Sequence, residues 1–148
     1  MNKIYVLIIL VGFSIGDTFA SNVLETKKEH IWKLVVSNSD GSNYTDWNNL
    51  KRDEDFVYFW ELVDFSSPFP NGTLSIKAHR KADCNDNRVQ NLHLISYSEN
   101  MGLGEVISDT NYQRDWELVP EKSIAATSIL EVCNFTFLRR EYWKSLEK

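Results

Sequence analysis

The chain has 148 residues, a formal net charge of −5 at pH 7 and 43% hydrophobic residues, enough for the core of one domain. The acidic balance argues against general binding of nucleic acid or of anionic membranes. Neither cysteines nor histidines have the spacing of a zinc site, so we expect no metal centre and no cofactor.

The first twenty residues have the pattern of a secretion signal. A charged start at Lys3 precedes an apolar run over residues 4–13, and Ala20 is a small residue suited to cleavage. The run is far shorter than the ~20 residues of a transmembrane helix. We therefore expect a signal peptide at residues 1–20 and one exported domain at 21–148. No cysteine follows the run, so the expected location is periplasmic or secreted, without a lipid anchor.

Short runs of β-branched and aromatic residues, separated by turn residues, follow in the mature chain. Residues 44–52 are mixed in character and predict an edge strand followed by one helical turn. The prolines and the Asn-Gly pair within 66–72 predict a hairpin connection. The other predicted strands are residues 31–36, 53–65, 73–84, 88–97, 105–107 and 116–119.

The spacing of apolar residues becomes that of a helix after Pro120, a residue suited to the first helical turn. Ile124, Thr127, Ile129 or Leu130, and Cys133 lie near one face of this helix. Residues 135–148 predict either another helical turn or two, or a charged tail.

Two cysteines, Cys84 and Cys133, are expected to pair in an oxidising compartment. Two buried free thiols are the alternative. The bridge would close a loop of about 50 residues, which the chain-entropy model equates with roughly 4 kcal/mol of stability. Because Cys84 ends a predicted strand and Cys133 ends the helix, the bridge would pin the helix to the sheet.

These elements predict an α+β fold, an antiparallel meander of about five to six strands with a C-terminal helix tied to it by the disulfide. The strand over residues 56–65 is apolar on both faces, and one helix can cover only one of them. A loop or another protein molecule must cover the second face, and a homodimer through that face is one expectation.

An ordered set of short segments resembles the surface-adhesin protein E family of bacterial exported proteins. The resemblance covers residues 30–133, nearly all of the mature chain. The segments are Phe59-Trp60-Glu61-Leu62-Val63-Asp64-Phe65, Ser75-Ile76-Lys77, Asp83-Cys84, Arg88, Tyr97-Ser98, Met101-Gly102-Leu103-Gly104-Glu105-Val106, Trp116, Val119-Pro120-Glu121-Lys122-Ser123-Ile124 and Val132-Cys133.

The resemblance implies a small antiparallel sheet with a disulfide-tethered helix and no enzymatic activity. It also implies a non-enzymatic binding protein, with a host extracellular-matrix protein or an envelope protein as partner. Residues 135–148 lie outside the shared pattern.

The histidines carry the second functional hypothesis. His79 and His93 lie on strands that are expected to pair. They are either ordinary strand histidines or ligands of a haem or a metal ion. No nucleophile motif accompanies them, which argues against a hydrolase. The alternative to a protein-binding module is therefore a periplasmic protein that binds haem or another apolar ligand on an aromatic face.

Local charge gives the candidate binding site. Lys77, Arg80, Lys81 and Arg88 form a basic hairpin in an otherwise acidic chain. Such a hairpin could steer an acidic protein partner towards the domain. The resemblance assigns the same hairpin to matrix contact. Arg80 shares parity with Ile76 and therefore points inward unless a bulge resets the strand.

Overall fold

The computed structural model describes residues 29–111 and 115–146. The signal peptide expected at residues 1–20 lies outside the described residues. Eight strands and one α-helix are seen within them: β1 (Trp32–Ser37), β2 (Gly41–Asp46), β3 (Lys51–Asp53), β4 (Phe56–Phe65), β5 (Ser75–Asp83), β6 (Arg88–Glu99), β7 (Leu103–Asn111), β8 (Glu117–Leu118) and α1 (Ile124–Leu146). Two single-turn 3-10 helices are seen at Trp47–Asn49 and Asn100–Gly102.

All eight strands belong to one antiparallel sheet with the order β1-β2-β4-β5-β6-β7. The short strands β3 and β8 pair with β4 and β6. The predicted meander is confirmed, with more strands than the five or six expected. Residues 44–52, predicted as an edge strand followed by one helical turn, form the end of β2, a 3-10 turn at Trp47–Asn49 and β3. The edge position is wrong, because β2 lies between β1 and β4.

Strand β4 lies inside the sheet between β2 and β5. Its side chains alternate between the two faces, as in any strand. Val57 and Phe59 point to the face that α1 covers and are fully buried there. Phe56 and Trp60 point to the opposite face. The two-sided apolar character that the sequence shows is therefore present in the structure.

Helix α1 begins with a capped first turn, since the Ser123 Oγ accepts a hydrogen bond of 3.0 Å from the backbone N–H of Ala126. Ala126, Ile129 and Val132 recur at helical spacing and are buried against the sheet. The core they complete contains Val57, Phe59, Ala82, Val89 and Val119. The helix continues to Leu146, so the segment after residue 135 is helical rather than an irregular tail.

The predicted disulfide is confirmed between Cys84, just after β5, and Cys133, within α1, with the two Cα atoms 5.8 Å apart. It joins sheet and helix at one edge of the core. Among the described residues, no helix is both long and apolar enough to cross a membrane.

Replacing both cysteines by alanine is expected to lower the free energy of unfolding by about 2–4 kcal/mol, because the unfolded chain regains the freedom of a loop spanning 49 residues. Urea denaturation of the oxidised wild type and the double variant measures this loss. A loss below about 1 kcal/mol, or free thiols in non-reduced peptide maps, would contradict the tethering role.

Candidate functional site

The face of the sheet that points away from α1 carries a row of aromatic rings, and we call it the ring face. Trp60 of β4 lies opposite His79 of β5, and His79 lies opposite His93 of β6. The Trp60 ring stacks on His79 at 4.9 Å and meets His93 edge-on at 5.7 Å. The two histidines that the sequence placed on pairing strands are thus brought together on one face.

A bulge in β6 creates this alignment. Arg80 of β5 pairs with Asn91 of β6, whereas the preceding residue of β5, His79, pairs with His93. Leu92 is therefore an extra residue on β6. A bulge shifts every later side chain of its strand by one position. Without it, Leu92 would lie opposite His79, and the Trp60 ring would have no second imidazole beside it.

Carboxylates lie beside the outer imidazoles of the row. His30 stacks on Trp32 at 5.0 Å, and its Nδ1 lies 2.5 Å from Asp46 Oδ2. On the other side, His93 Nε2 lies 2.6 Å from Asp109 Oδ1. Each carboxylate fixes the orientation of its imidazole, as carboxylate–histidine pairs do elsewhere.

Lys81 lies among three aromatic rings. Its Nζ is 4.0 Å from the Phe56 ring centroid, 5.4 Å from Trp116 and 5.5 Å from Tyr58. The Arg88 guanidinium lies 4.9 Å from the same Trp116 ring. Such contacts hold each cation in place, and among the described residues Lys81 has no carboxylate within ion-pair distance.

Lys77 is positioned by the short connection before β7. Its Nζ lies 4.8 Å from the Tyr97 ring and donates a 3.2 Å hydrogen bond to the Gly102 carbonyl. Burial lowers the pKa of Lys77 below its usual value. In this connection Met101 has a φ of 60°, a left-handed conformation stabilised by its N–H donating to Asp64 Oδ1 at 2.7 Å.

Arg88 is also an ion-pair partner. Its guanidinium donates two hydrogen bonds to Asp83 Oδ2, at 3.0 and 2.8 Å, and lies 3.1 Å from Asp86. Burial of Asp83 favours its neutral form, but the bonds from Arg88 and from the backbone N–H groups of Asn85 and Asp86 outweigh it, so the pKa of Asp83 is lowered.

Arg80 does not share the ring face, and this corrects the grouping of four cations in the basic hairpin. It lies opposite Phe59, on the α1 side of the sheet. Its Nη1 is 2.7 Å from Glu61 Oε2, and the two side chains are 19% and 1% exposed. The bulge lies in β6 and leaves the parity of β5 intact, so Arg80 stays inward with a buried carboxylate to compensate it.

The hairpin therefore contributes three cations to the ring face, Lys77, Lys81 and Arg88. Sequence reasoning missed Trp116, which contacts Lys81 and Arg88, and His30, which contacts Trp60, because both come from outside the pairing strands. Within the described ranges, no group of three or more His, Cys, Asp or Glu residues is arranged to hold a metal ion. The ring face therefore presents cations that lie over aromatic rings.

Comparison with known proteins gives a family and a fold. The family model described as Surface-adhesin protein E matches residues 32–134. No curated protein matches the sequence significantly. A crystal structure of protein E from non-typeable Haemophilus influenzae aligns with a TM-score of 0.52 and 15% identity, covering 74% of this chain and 79% of that one. A second Haemophilus influenzae protein E structure has the same TM-score and identity, with 74% and 88% covered.

Replacing Arg80 by methionine is expected to cost about 3–5 kcal/mol of unfolding free energy, because Glu61 would remain buried without its partner. Lys81→Met, one residue along the same strand on the ring face, is the matched control and should cost about 1 kcal/mol. Chemical denaturation measures both variants. Equal losses in the two variants would contradict the assignment of Arg80 and Lys81 to different faces.

His79 is expected to make the fold sensitive to acid. Burial, and secondarily the charge of His93, lower the pKa of His79 below 6.5. The unfolded chain therefore binds this proton more readily, and the free energy of unfolding falls as the pH drops below about 6.5. His79→Gln should lose less stability than the wild type between pH 7.5 and 5.5. Urea titrations at both pH values measure the difference, and identical losses would contradict it.

Proposed function

Because this chain belongs to the surface-adhesin protein E family, we propose that it is an exported, non-enzymatic binding protein whose ring face docks on an acidic protein partner. The proposed partner is a host extracellular-matrix protein or a protein of the cell envelope. The proposed location is the periplasm or the exterior. The observation that carries the proposal is the common placement of Lys77, Lys81 and Arg88 on aromatic rings of one face.

The charges of this face favour an acidic partner. Its carboxylates Asp46 and Asp109 lie against histidines, and Asp83 is bound to Arg88. Among the described residues, no carboxylate comes within ion-pair distance of Lys77 or Lys81. The positive charge of this face is therefore concentrated at Lys77 and Lys81, on a protein of net charge −5. Opposite potentials on two surfaces accelerate their encounter and fix their orientation.

The rings give the cations a fixed arrangement before any partner arrives. A free lysine loses roughly 1.5–2 kcal/mol of side-chain entropy when it is immobilised. Lys81, held by three rings, has already lost part of that freedom in the unbound protein. Aromatic side chains are also the residues that most often dominate binding energy at interfaces. Together these features support docking through the ring face.

Two other occupants of the ring face are alternatives to an acidic protein partner. A second copy of the chain would cover the apolar side chains of β4 and give a homodimer. A haem or another apolar ligand would instead need an open slot between rings. The Trp60 and His79 rings stack directly on one another, which favours a flat protein contact over insertion. A copurified chromophore or lipid would favour the ligand, and light scattering at micromolar concentration would reveal a dimer.

Replacing Lys77, Lys81 and Arg88 by glutamine is expected to slow association with an acidic partner about tenfold and to flatten its salt dependence, because charges at the edge of an interface act on the encounter rate. Surface plasmon resonance against matrix proteins at two ionic strengths measures both effects. Thermal stability of each variant is recorded in parallel, since Arg88 also holds Asp83.

The matched control replaces Lys33, Lys122 and Arg139, three exposed cations outside the ring face, and so removes the same charge. It should change the association rate by less than twofold. If both triple variants slow association equally, the effect is that of net charge alone and the ring face is excluded as the site.

A further inference from the structure

Helix α1 extends well beyond the part of the chain that the family shares. The family model ends at residue 134, whereas the helix continues to Leu146, three turns further. The residues that hold α1 on the sheet, from Ala126 to Thr136, lie almost entirely before this point. The added turns therefore need a role other than completing the shared core.

These turns carry an apolar stripe on the outside of the molecule. Leu138, Tyr142 and Leu146 are between 59% and 66% exposed, and Phe135, whose ring also meets the Trp47 ring edge-on at 4.9 Å, is 41% exposed. Their separations of three and four residues place them on one side of the helix. That side lies roughly a third of a turn from the one that packs on the sheet. A helix with apolar residues on two sides is typical of one that has apolar surroundings on both.

The local charge indicates the nature of those surroundings. Residues 134–148 contain four basic and two acidic residues, although the whole chain has a net charge of −5. Arg139 is exposed and borders the stripe, one turn after Phe135. Helices that lie in a membrane surface combine leucine and aromatic residues on one side with flanking basic residues. Anionic lipid head groups attract those basic residues.

We propose that the outward stripe of α1, formed by Phe135, Leu138, Tyr142 and Leu146, binds the surface of an anionic lipid bilayer. The acidic remainder of the domain restricts this contact to the one basic, apolar segment. The ring face lies on the opposite side of the sheet from α1, so a bilayer under the helix leaves the ring face pointing away from the lipid. This inference is independent of which partner the ring face binds.

Flotation of the mature, disulfide-bonded protein with vesicles tests it. Binding is expected to vesicles of phosphatidylglycerol and phosphatidylethanolamine, and at least tenfold less to phosphatidylcholine. The double variant Leu138→Ser, Leu146→Ser should bind at least tenfold more weakly, because two exposed leucines no longer enter the lipid. Arg139→Gln should weaken binding about fivefold and reduce its sensitivity to salt.

The matched control replaces two leucines of similar exposure away from the helix, Leu34 at 58% and Leu103 at 59%, by serine. It should bind vesicles like the wild type. Melting temperatures within a few degrees of the wild type confirm that all variants fold. If the double leucine variant does not fold, Arg139→Gln alone tests the site. Absence of binding, equal binding to neutral vesicles, or equal loss in both leucine variants overturns the proposal. A dimer that forms without lipid and is lost in Leu138→Ser, Leu146→Ser would assign the stripe to a second copy instead.

Discussion

Strand β4 has large side chains on both sides and lies inside the sheet, so both faces of the sheet require cover. Helix α1 covers Val57 and Phe59 on one face. On the other, rings of β4 pack on rings from other elements, Phe56 on Trp116 and Trp60 on His79, and Lys81 Nζ lies over the Phe56 ring. A long cationic side chain can shield apolar area while its charged end stays near water. The side chains that cover the second face thus also supply the cations of the proposed binding surface.

The two faces handle charge in opposite ways because their solvent access differs. On the α1 side, Arg80 and Glu61 neutralise each other in the interior, where an unpaired charge would be strongly unfavourable. On the ring face, the carboxylates are occupied by Arg88, His30 and His93. The lysines there contact rings instead. Alternating parity along β5 therefore places Arg80 in an interior ion pair and its sequence neighbour Lys81 on the proposed binding surface.

Much of this architecture could be predicted from the sequence because local patterns determine it. Alternation within residues 56–65 predicts the two apolar faces, and the positions of Cys84 and Cys133 predict the tether between helix and sheet. The placement of His79 and His93 on pairing strands could be predicted, but their position directly opposite each other could not. It depends on the bulge at Leu92, which is set by long-range pairing between β5 and β6. Trp116 reaches the site from outside the hairpin, and nothing in its local sequence indicates that position.

The two-layer arrangement also determines which surfaces can act together. With one helix on one sheet, the exposed stripe of α1 and the ring face lie on different sides of the domain, because α1 packs on the face of the sheet opposite the rings. A flat lipid surface on one side and a protein on the other would not compete for space. The Cys84–Cys133 bridge joins the two layers covalently. A pulling force between partner and lipid would therefore pass through a cross-link as well as through packing contacts, which is a mechanical advantage for an adhesive domain.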